Sequence, residues 1–268
     1  MKLSSYDYEL PKEQIATRPV SGRHHSRLLV YNCKDDSISH HQFSDLPSFL
    51  PNESTLVLNQ SKVFPCRLKG HKKSGGTVEV FFLTVEANEK GSYRALVKAN
   101  GKKRIGDIYE FENQLEIEII DNVDGEFLIK PSLNGSELID YLNANALVPI
   151  PPYIRGGESD EQDKSDYQTV FANELGSVAA PTAGLHFSDE LLSQINEAGH
   201  DIAKVTLHVG LGTFAPVKVD NLEEHKMHSE SYFVDKENYK IGDFVNVKID
   251  DCTSATLIGT AVEYSDNN

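Results

Sequence analysis

The residues most able to do chemistry sit in one stretch, 177–230. It reads Ser177-Val-Ala-Ala-Pro-Thr-Ala-Gly-Leu-His-Phe187, then a helical pattern, then Val205-Thr-Leu-His-Val-Gly-Leu-Gly-Thr-Phe214, and finally His225-Lys-Met-His-Ser-Glu230. Each of the first two runs sets a histidine among glycines and threonines, where a ligand can approach the backbone closely. Imidazole titrates near neutrality, which makes His186 and His208 the candidates for proton transfer. Thr182, Gly184, Gly210, Gly212 and Thr213 are the residues that would shape a pocket around them. A histidine in a glycine-rich turn can also serve only to hydrogen-bond the backbone, and both readings stand at this level.

The elements that position these residues follow from spacing. Ser188 ahead of Asp189 and Glu190 predicts an N-cap with acidic residues in the first turn. Leu191, Leu192, Ile195 and Ala198 recur at helical spacing, and Gly199 suits a left-handed end. The β-branched run over 202–209 predicts a strand with Val205, Leu207 and Val209 on one face and Thr206 and His208 on the other. His186 is then expected in a loop just ahead of a helix N-terminus, a favourable place for an anionic or polar group.

Composition narrows the functional class. The chain has 268 residues and a formal net charge of −15. A charge of that sign argues against non-specific coating of nucleic acid. Local basic clusters remain: Arg18, Arg23, His24, His25 and Arg27; Lys69, His71, Lys72 and Lys73; Lys98, Lys102, Lys103 and Arg104. Taken singly, each reads first as a solvated loop. Met1 to Ile15 lack the apolar centre of a signal peptide, and no apolar run has membrane-spanning length, so a cytoplasmic location is expected. Cys33, Cys66 and Cys252 form no Cys-x-x-Cys pair and read as buried small residues. His225, His228 and Glu230 invite a metal-site reading, yet His-x-x-His-x-Glu is not the His-x-x-x-His pair of a helical site, and no metal is expected.

Along the chain, the patterns predict a hairpin over 27–43, a helical turn near 46–50 and a nearly all-apolar, buried strand at 55–59. Short strands over 77–85, 93–99, 108–112, 115–120 and 126–130 suggest an antiparallel barrel or sandwich inserted into the chain. A helix is expected over 136–144, an extended proline-rich link over 148–154, and a mobile, polar, acidic surface loop over 155–166.

Several of these runs together resemble S-adenosylmethionine:tRNA ribosyltransferase-isomerase, an enzyme family of queuosine synthesis. The matching stretches are Tyr6-Asp-Tyr-Glu-Leu-Pro11, Ser26-Arg-Leu-Leu-Val30, Leu58-Asn-Gln-Ser-Lys-Val-Phe-Pro-Cys-Arg-Leu68, Gly75-Gly-Thr-Val-Glu79, Pro151-Pro-Tyr-Ile154, Tyr167-Gln-Thr-Val-Phe-Ala172 and the three runs of 177–230. The resemblance implies a mixed α/β domain, 1–61 and 134–239, interrupted by an antiparallel β-barrel-like subdomain, 62–133. It also implies the reaction: the ribosyl part of S-adenosylmethionine is transferred to 7-aminomethyl-7-deazaguanine in tRNA and rearranged to epoxyqueuosine, with adenine and methionine released.

Under that resemblance S-adenosylmethionine is a substrate, and no metal or separate cofactor is implied. The chain would act as a monomer on tRNA, away from membranes. Arg23, Arg27, Lys62 and Arg67 become candidates to meet tRNA phosphates or the methionine carboxylate, with His225, His228 and Glu230 near the substrate. Lys62 and Arg67 flank a strand and can instead pair only with surface carboxylates, the commoner fate of such residues. The matching motifs run to about Tyr239, where the family continues with further elements. The remaining 240–268 resembles instead the end of a TRAM domain, a small RNA-binding barrel, read as two strands with 250–254 as their turn. A family member short of its C-terminal part is therefore expected, and a tRNA-binding remnant without turnover is the alternative to an active enzyme.

Overall fold

The computed structural model describes residues 1–123, 125–214, 216–227, 230–234, 246–253 and 256–262. Its strands and helices in chain order begin with β1 (Arg27–Asn32) and β2 (Ser37–Gln42), an antiparallel hairpin. Next come β3 (Thr55–Asn59), β4 (Ser61–Val63), β5 (Arg67–Lys72), β6 (Thr77–Phe82) and β7 (Tyr93–Ala99). They are followed by β8 (Ile108–Glu110), β9 (Glu116–Val123), β10 (Glu126–Pro131) and helix α1 (Gly135–Asn145). The rest comprises α2 (Asp163–Asp166), β11 (Glu174–Ser177), α3 (Asp189–Glu197), β12 (Asp201–His208), β13 (Ser231–Val234), β14 (Asn246–Thr253) and β15 (Thr256–Val262).

The fold is mixed α/β with a barrel set into it. Strands β5 to β10 close in the order β10-β7-β6-β5-β8-β9, every pairing antiparallel. Closure leaves no sheet edge exposed. Alternation fills the interior: Val78, Val80 and Phe82 of β6 point in with Tyr93, Ala95 and Val97 of β7, and Leu138 and Leu142 of α1 join the same core. Strand β5 was not foreseen, because its outward residues Lys69 and His71 read as a charged loop. Its inward residues Leu68 and Gly70 carry the strand pattern.

At Gly70 the barrel wall leaves no room for a Cβ. A Cβ there would lie 2.5 Å from the Glu110 carbonyl oxygen and 2.5 Å from Phe111 Cδ1. Backbone cannot yield as a side-chain tip can, so Gly70→Ala is expected to destabilise the chain by about 1–3 kcal/mol. Urea unfolding checks this, and a stability equal to wild type would contradict it.

The α/β part is built on β13-β12-β3, with β12 antiparallel to β13 and parallel to β3. Strand β3 is an edge of this three-stranded sheet, so the expected fully buried strand is only half covered, and Val57 is 44% exposed. Leu58 meets Phe171, Phe187, Leu191 and Ile195 in a second core beneath α3. Helix α3 starts as its signals require, with the Leu191 amide donating to Ser188 Oγ at 3.2 Å and Gly199 left-handed at φ +86°. At the end of β3 the Asn59 side chain continues the pairing with β12: it donates to Leu207 O at 2.9 Å and accepts from Leu207 N at 3.0 Å.

Three further expectations need correction. The polar stretch after Ile154 is no free loop, because its charges meet partners far away in sequence. Asp163, 1% exposed, accepts from Arg18 Nη1 at 2.9 Å, from Arg155 Nη2 at 2.6 Å and from the Asp160 amide at 2.8 Å. Cys66 is buried as expected, whereas Cys33 is exposed at the hairpin turn. In the tail, β14 runs on to Thr253 and pairs with β15 through an irregularity between Ile249 and Asp251. Residues 250–253 are thus strand, and Ser254 lies outside the described residues, as do 240–245.

Candidate active site

His186 ends a short 3-10 turn, Thr182–His186, that leads into α3. The turn closes with the Gly184 amide on Pro181 O at 2.8 Å. Gly184 is small for a reason, since a Cβ would stand 3.0 Å from both Phe171 Cζ and Thr169 Cγ2. Thr182 is exposed beside it.

One hydroxyl fixes the protonation of the His186 ring. Ser26 Oγ donates its only proton to Arg23 O at 2.7 Å, so it can only accept from His186 Nδ1, 3.0 Å away. That assigns the hydrogen to Nδ1 and leaves the lone pair on Nε2. Burial pushes the His186 pKa below the ordinary imidazole value of 6.5, and the Arg23 cation adds to the shift. Arg23 is held by the carbonyls of Gln168 and, at 2.7 Å, Ser165. Its own loop, 18–23, borders an open cleft of about 540 Å³ that Gln162 and Asp166 close from the other side.

His208 closes β12 and lies flat against a backbone. A Cβ on Gly176 would fall 2.6 Å from its Cε1 and 2.8 Å from its Nε2, so only glycine leaves room for the ring. Burial lowers the His208 pKa below 6.5, against the opposing pull of the nearby Glu174 and Glu86 carboxylates. Glu86 comes from the loop after β6 of the barrel. It also lines a cleft of about 760 Å³ between barrel and α/β part, together with Lys90, Tyr93, Lys130 and Leu175.

The two histidine runs are stitched to one another. Val209 O accepts from the amides of Val178 at 2.9 Å and Ala179 at 3.2 Å. Ser177 Oγ accepts from Val209 N at 2.9 Å and donates to Ala179 O at 2.8 Å. The Gly210 amide donates to Glu230 Oε1 at 3.0 Å, and Thr213 N reaches Gly210 O at 3.3 Å around Gly212. These bonds tie 177–179 to 209–210 as one hydrogen-bonded unit.

The remaining candidates separate. Arg27 is exposed at the head of β1, opposite Gln42, and Lys62 is exposed on β4, opposite Leu175 of β11. Arg67 is 8% exposed and committed: it donates to Glu79 at 2.8 Å, to Glu158 at 3.1 Å and to Gly157 O, with its guanidinium 5.5 Å over Phe81. That buried set clamps barrel to loop and leaves no donor face for a phosphate. His225 follows a 3-10 turn with its amide on Leu222 O at 3.1 Å, and His228 lies outside the described residues. Among the described residues no group of three or more His, Cys, Asp or Glu side chains could hold a metal ion.

Ser26, Glu86 and Glu174 escaped the sequence reading. Ser26 lay within a matching motif and could have been found there, whereas Glu86 sits in a loop with no pattern to mark it.

With both histidines shifted downward, a reaction that needs a neutral imidazole should persist as pH falls to 6.5 and fail only below it. The linkage has the same sign. A folded-state pKa below the unfolded one gives stability present above the unfolded value and lost as pH falls through the folded one. A kcat profile with its acidic midpoint below 6.5 is expected, and a midpoint above it would contradict the assignment.

Comparison with known proteins places these features in one family. The family described as "Queuosine biosynthesis protein" matches residues 3–262, which carries the likeness past Tyr239, the limit read from the motifs. S-adenosylmethionine:tRNA ribosyltransferase-isomerase of Natranaerobius thermophilus is 41% identical over 245 residues, covering 90% of this chain and 69% of that protein. The enzyme of the same name from Sulfurihydrogenibium sp. is 41% identical over 263 residues, 98% of this chain and 76% of that protein. The chain thus spans about two thirds to three quarters of the length of these relatives. A solved structure of S-adenosylmethionine tRNA ribosyltransferase from Thermotoga maritima is 29% identical, with a TM-score of 0.31 over 76% of this chain and 58% of that one. The chain belongs to the queuosine biosynthesis protein family, whose curated members named here are S-adenosylmethionine:tRNA ribosyltransferase-isomerases.

Proposed function

We propose that this chain transfers the ribosyl part of S-adenosylmethionine to the 7-aminomethyl-7-deazaguanine of a tRNA and isomerises it to epoxyqueuosine. Adenine and methionine leave. The observation that carries the reading is the family match over 3–262, supported by relatives at about 41% identity over most of the chain.

The geometry suits such chemistry. A sulfonium acidifies the adjacent C5′–H, so the reaction asks for a base at that carbon, an acid at the departing adenine and a pocket poor in water. His186 offers Nε2 as the proton acceptor, because Nδ1 is occupied by Ser26. His208 is the second candidate for proton transfer, and Glu174 and Glu86 favour its protonated form without overcoming the burial that lowers its pKa. Thr182, Gly184, Gly210, Gly212 and Thr213 line the approach to the sugar. Arg23 is the cation beside His186 and faces the methionine carboxylate or a phosphate. The sulfonium supplies its own leaving group, and the reaction runs in the cytoplasm on a single chain without metal or added cofactor.

Label transfer tests the proposal. With S-adenosylmethionine labelled in its ribose, label is expected in tRNA bearing the aminomethyl-deazaguanine and not in tRNA bearing guanine. Equal labelling of both, or of neither, would refute it.

A further inference from the structure

The chain holds 41 acidic and 26 basic residues, so a surface rich in cations is a local departure from an acidic whole. One end of the barrel is such a departure, and two stretches distant in sequence build it. Lys72 and Lys73 lead from β5 into the turn before β6. Lys98, Lys102, Lys103 and Arg104 run from β7 into the loop before β8, with no acidic residue between Lys98 and Ile105. Lys72 Nζ donates to Asn100 O at 2.6 Å and so ties the turn to the loop.

These cations are held in place but not used up. Lys98 is 85% exposed and only 4.0 Å from Glu79, while Glu79 is already engaged by Arg67 at 2.6 Å. Lys73 stands 3.7 Å from Glu116, a loose and exposed pair. Lys103 lies 6.0 Å over the Phe127 ring, which fixes the loop against β10. Lys102 and Arg104 are exposed on either side, and the neighbouring Ile105 is 66% exposed.

Position matters as much as charge. The cleft beside Glu86 opens at the start of β7 and this rim stands at its end, with Tyr93 and Ala99 as the limits of the strand. Seven residues at a strand's rise put roughly 20 Å between them. That is too far for one small molecule and suits a macromolecule held at both ends. S-adenosylmethionine, with its sulfonium, gains nothing from six positive charges.

We infer that the basic rim formed by Lys72, Lys73, Lys98, Lys102, Lys103 and Arg104 docks the phosphate backbone of the RNA substrate, remote from the reacting base. The inference rests on the reading of tRNA as substrate and adds the surface that holds it. Contacts of this kind act through counterion release and fix register, while binding energy gained remotely serves the reaction elsewhere.

The test is a triple variant, Lys98→Gln, Lys102→Gln and Arg104→Gln, with Lys12→Gln and Lys34→Gln together as a surface control. Binding of substrate tRNA is measured against salt, with steady-state kinetics in parallel. The triple variant is expected to raise Kd and KM for tRNA at least about tenfold and to lower the slope of log affinity against log salt by about 2. Its KM for S-adenosylmethionine, and its kcat at saturating tRNA, should match wild type. The charge-keeping set Lys98→Arg, Lys102→Arg and Arg104→Lys should bind as wild type does.

Wild-type affinity and slope in the triple variant would overturn the inference and leave the proposed reaction standing. So would an equal loss in the charge-keeping set, which would assign the effect to shape. If the unaltered chain neither binds nor modifies tRNA, the proposed reaction itself fails, and the rim's assignment falls with it.

Discussion

His186→Ala is expected to lower kcat for adenine release by about 10²–10⁴-fold, the range for losing a positioned acid or base. Thermal stability should hardly change, because the ring is exposed at one edge and, among the described residues, its one side-chain hydrogen bond is to Ser26. The size of the effect follows from what the neighbours do. Ser26 commits its proton to Arg23 O, Arg23 is anchored on Ser165 and Gln168, and burial keeps the imidazole neutral. The Nδ1 side of the ring is thus held before substrate arrives, and such preorganisation is what an alanine cannot replace. Ser26→Ala separates positioning from proton transfer: it frees the ring to take either tautomer, so kcat should fall less, with KM for tRNA unchanged. A kcat within threefold of wild type in His186→Ala would remove this residue from the chemistry.

Asp163→Ala is expected to cost about 3 kcal/mol of folding stability, since removing one partner of a buried ion cluster leaves the others uncompensated. The carboxylate is almost wholly buried and faces two arginines, Arg18 and Arg155. Arg18 and Arg155 remain partly exposed, with Asp160 and Asp166 nearby, which keeps the loss at the lower end for buried pairs. The consequence reaches the site through the chain. The segment that Asp163 pins also presents the Ser165 and Gln168 carbonyls that hold Arg23 beside His186. Denaturant unfolding with an unchanged m-value should show the shift, and a loss below 1 kcal/mol would mean that the cluster is as weak as a surface pair.

How far the sequence reaches depends on whether the deciding contact is local. Alternation predicted most barrel strands, and the Ser188 cap and Gly199 end predicted α3, because each signal lies within a few residues of its element. Strand β5 was hidden because a closed barrel turns Lys69 and His71 outward, where charge is harmless. The segment after Ile154 misled for the opposite reason. Its acidic residues look solvated in isolation, and only Arg18, about 145 residues away, shows that Asp163 is an interior ion. Within the candidate site, residue type alone singles out the histidines and glycines as candidates. The partners that set their protonation were not legible: Ser26 is 160 residues from His186, and Glu86 reaches His208 from the inserted barrel. Arg67 shows the limit clearly, since its sequence context left both phosphate and carboxylate partners open, and its actual neighbours are Glu79 and Glu158.

The central claim is that this chain assembles a working ribosyl-transfer site, and adenine release tests it most directly. Purified chain, S-adenosylmethionine and tRNA carrying the aminomethyl-deazaguanine are combined, and free adenine is followed by chromatography. Release that requires that tRNA, recurs over many turnovers per protein and falls away in His186→Ala is the predicted result. A chain that is folded by circular dichroism and binds the same tRNA, yet frees no adenine, would contradict the account.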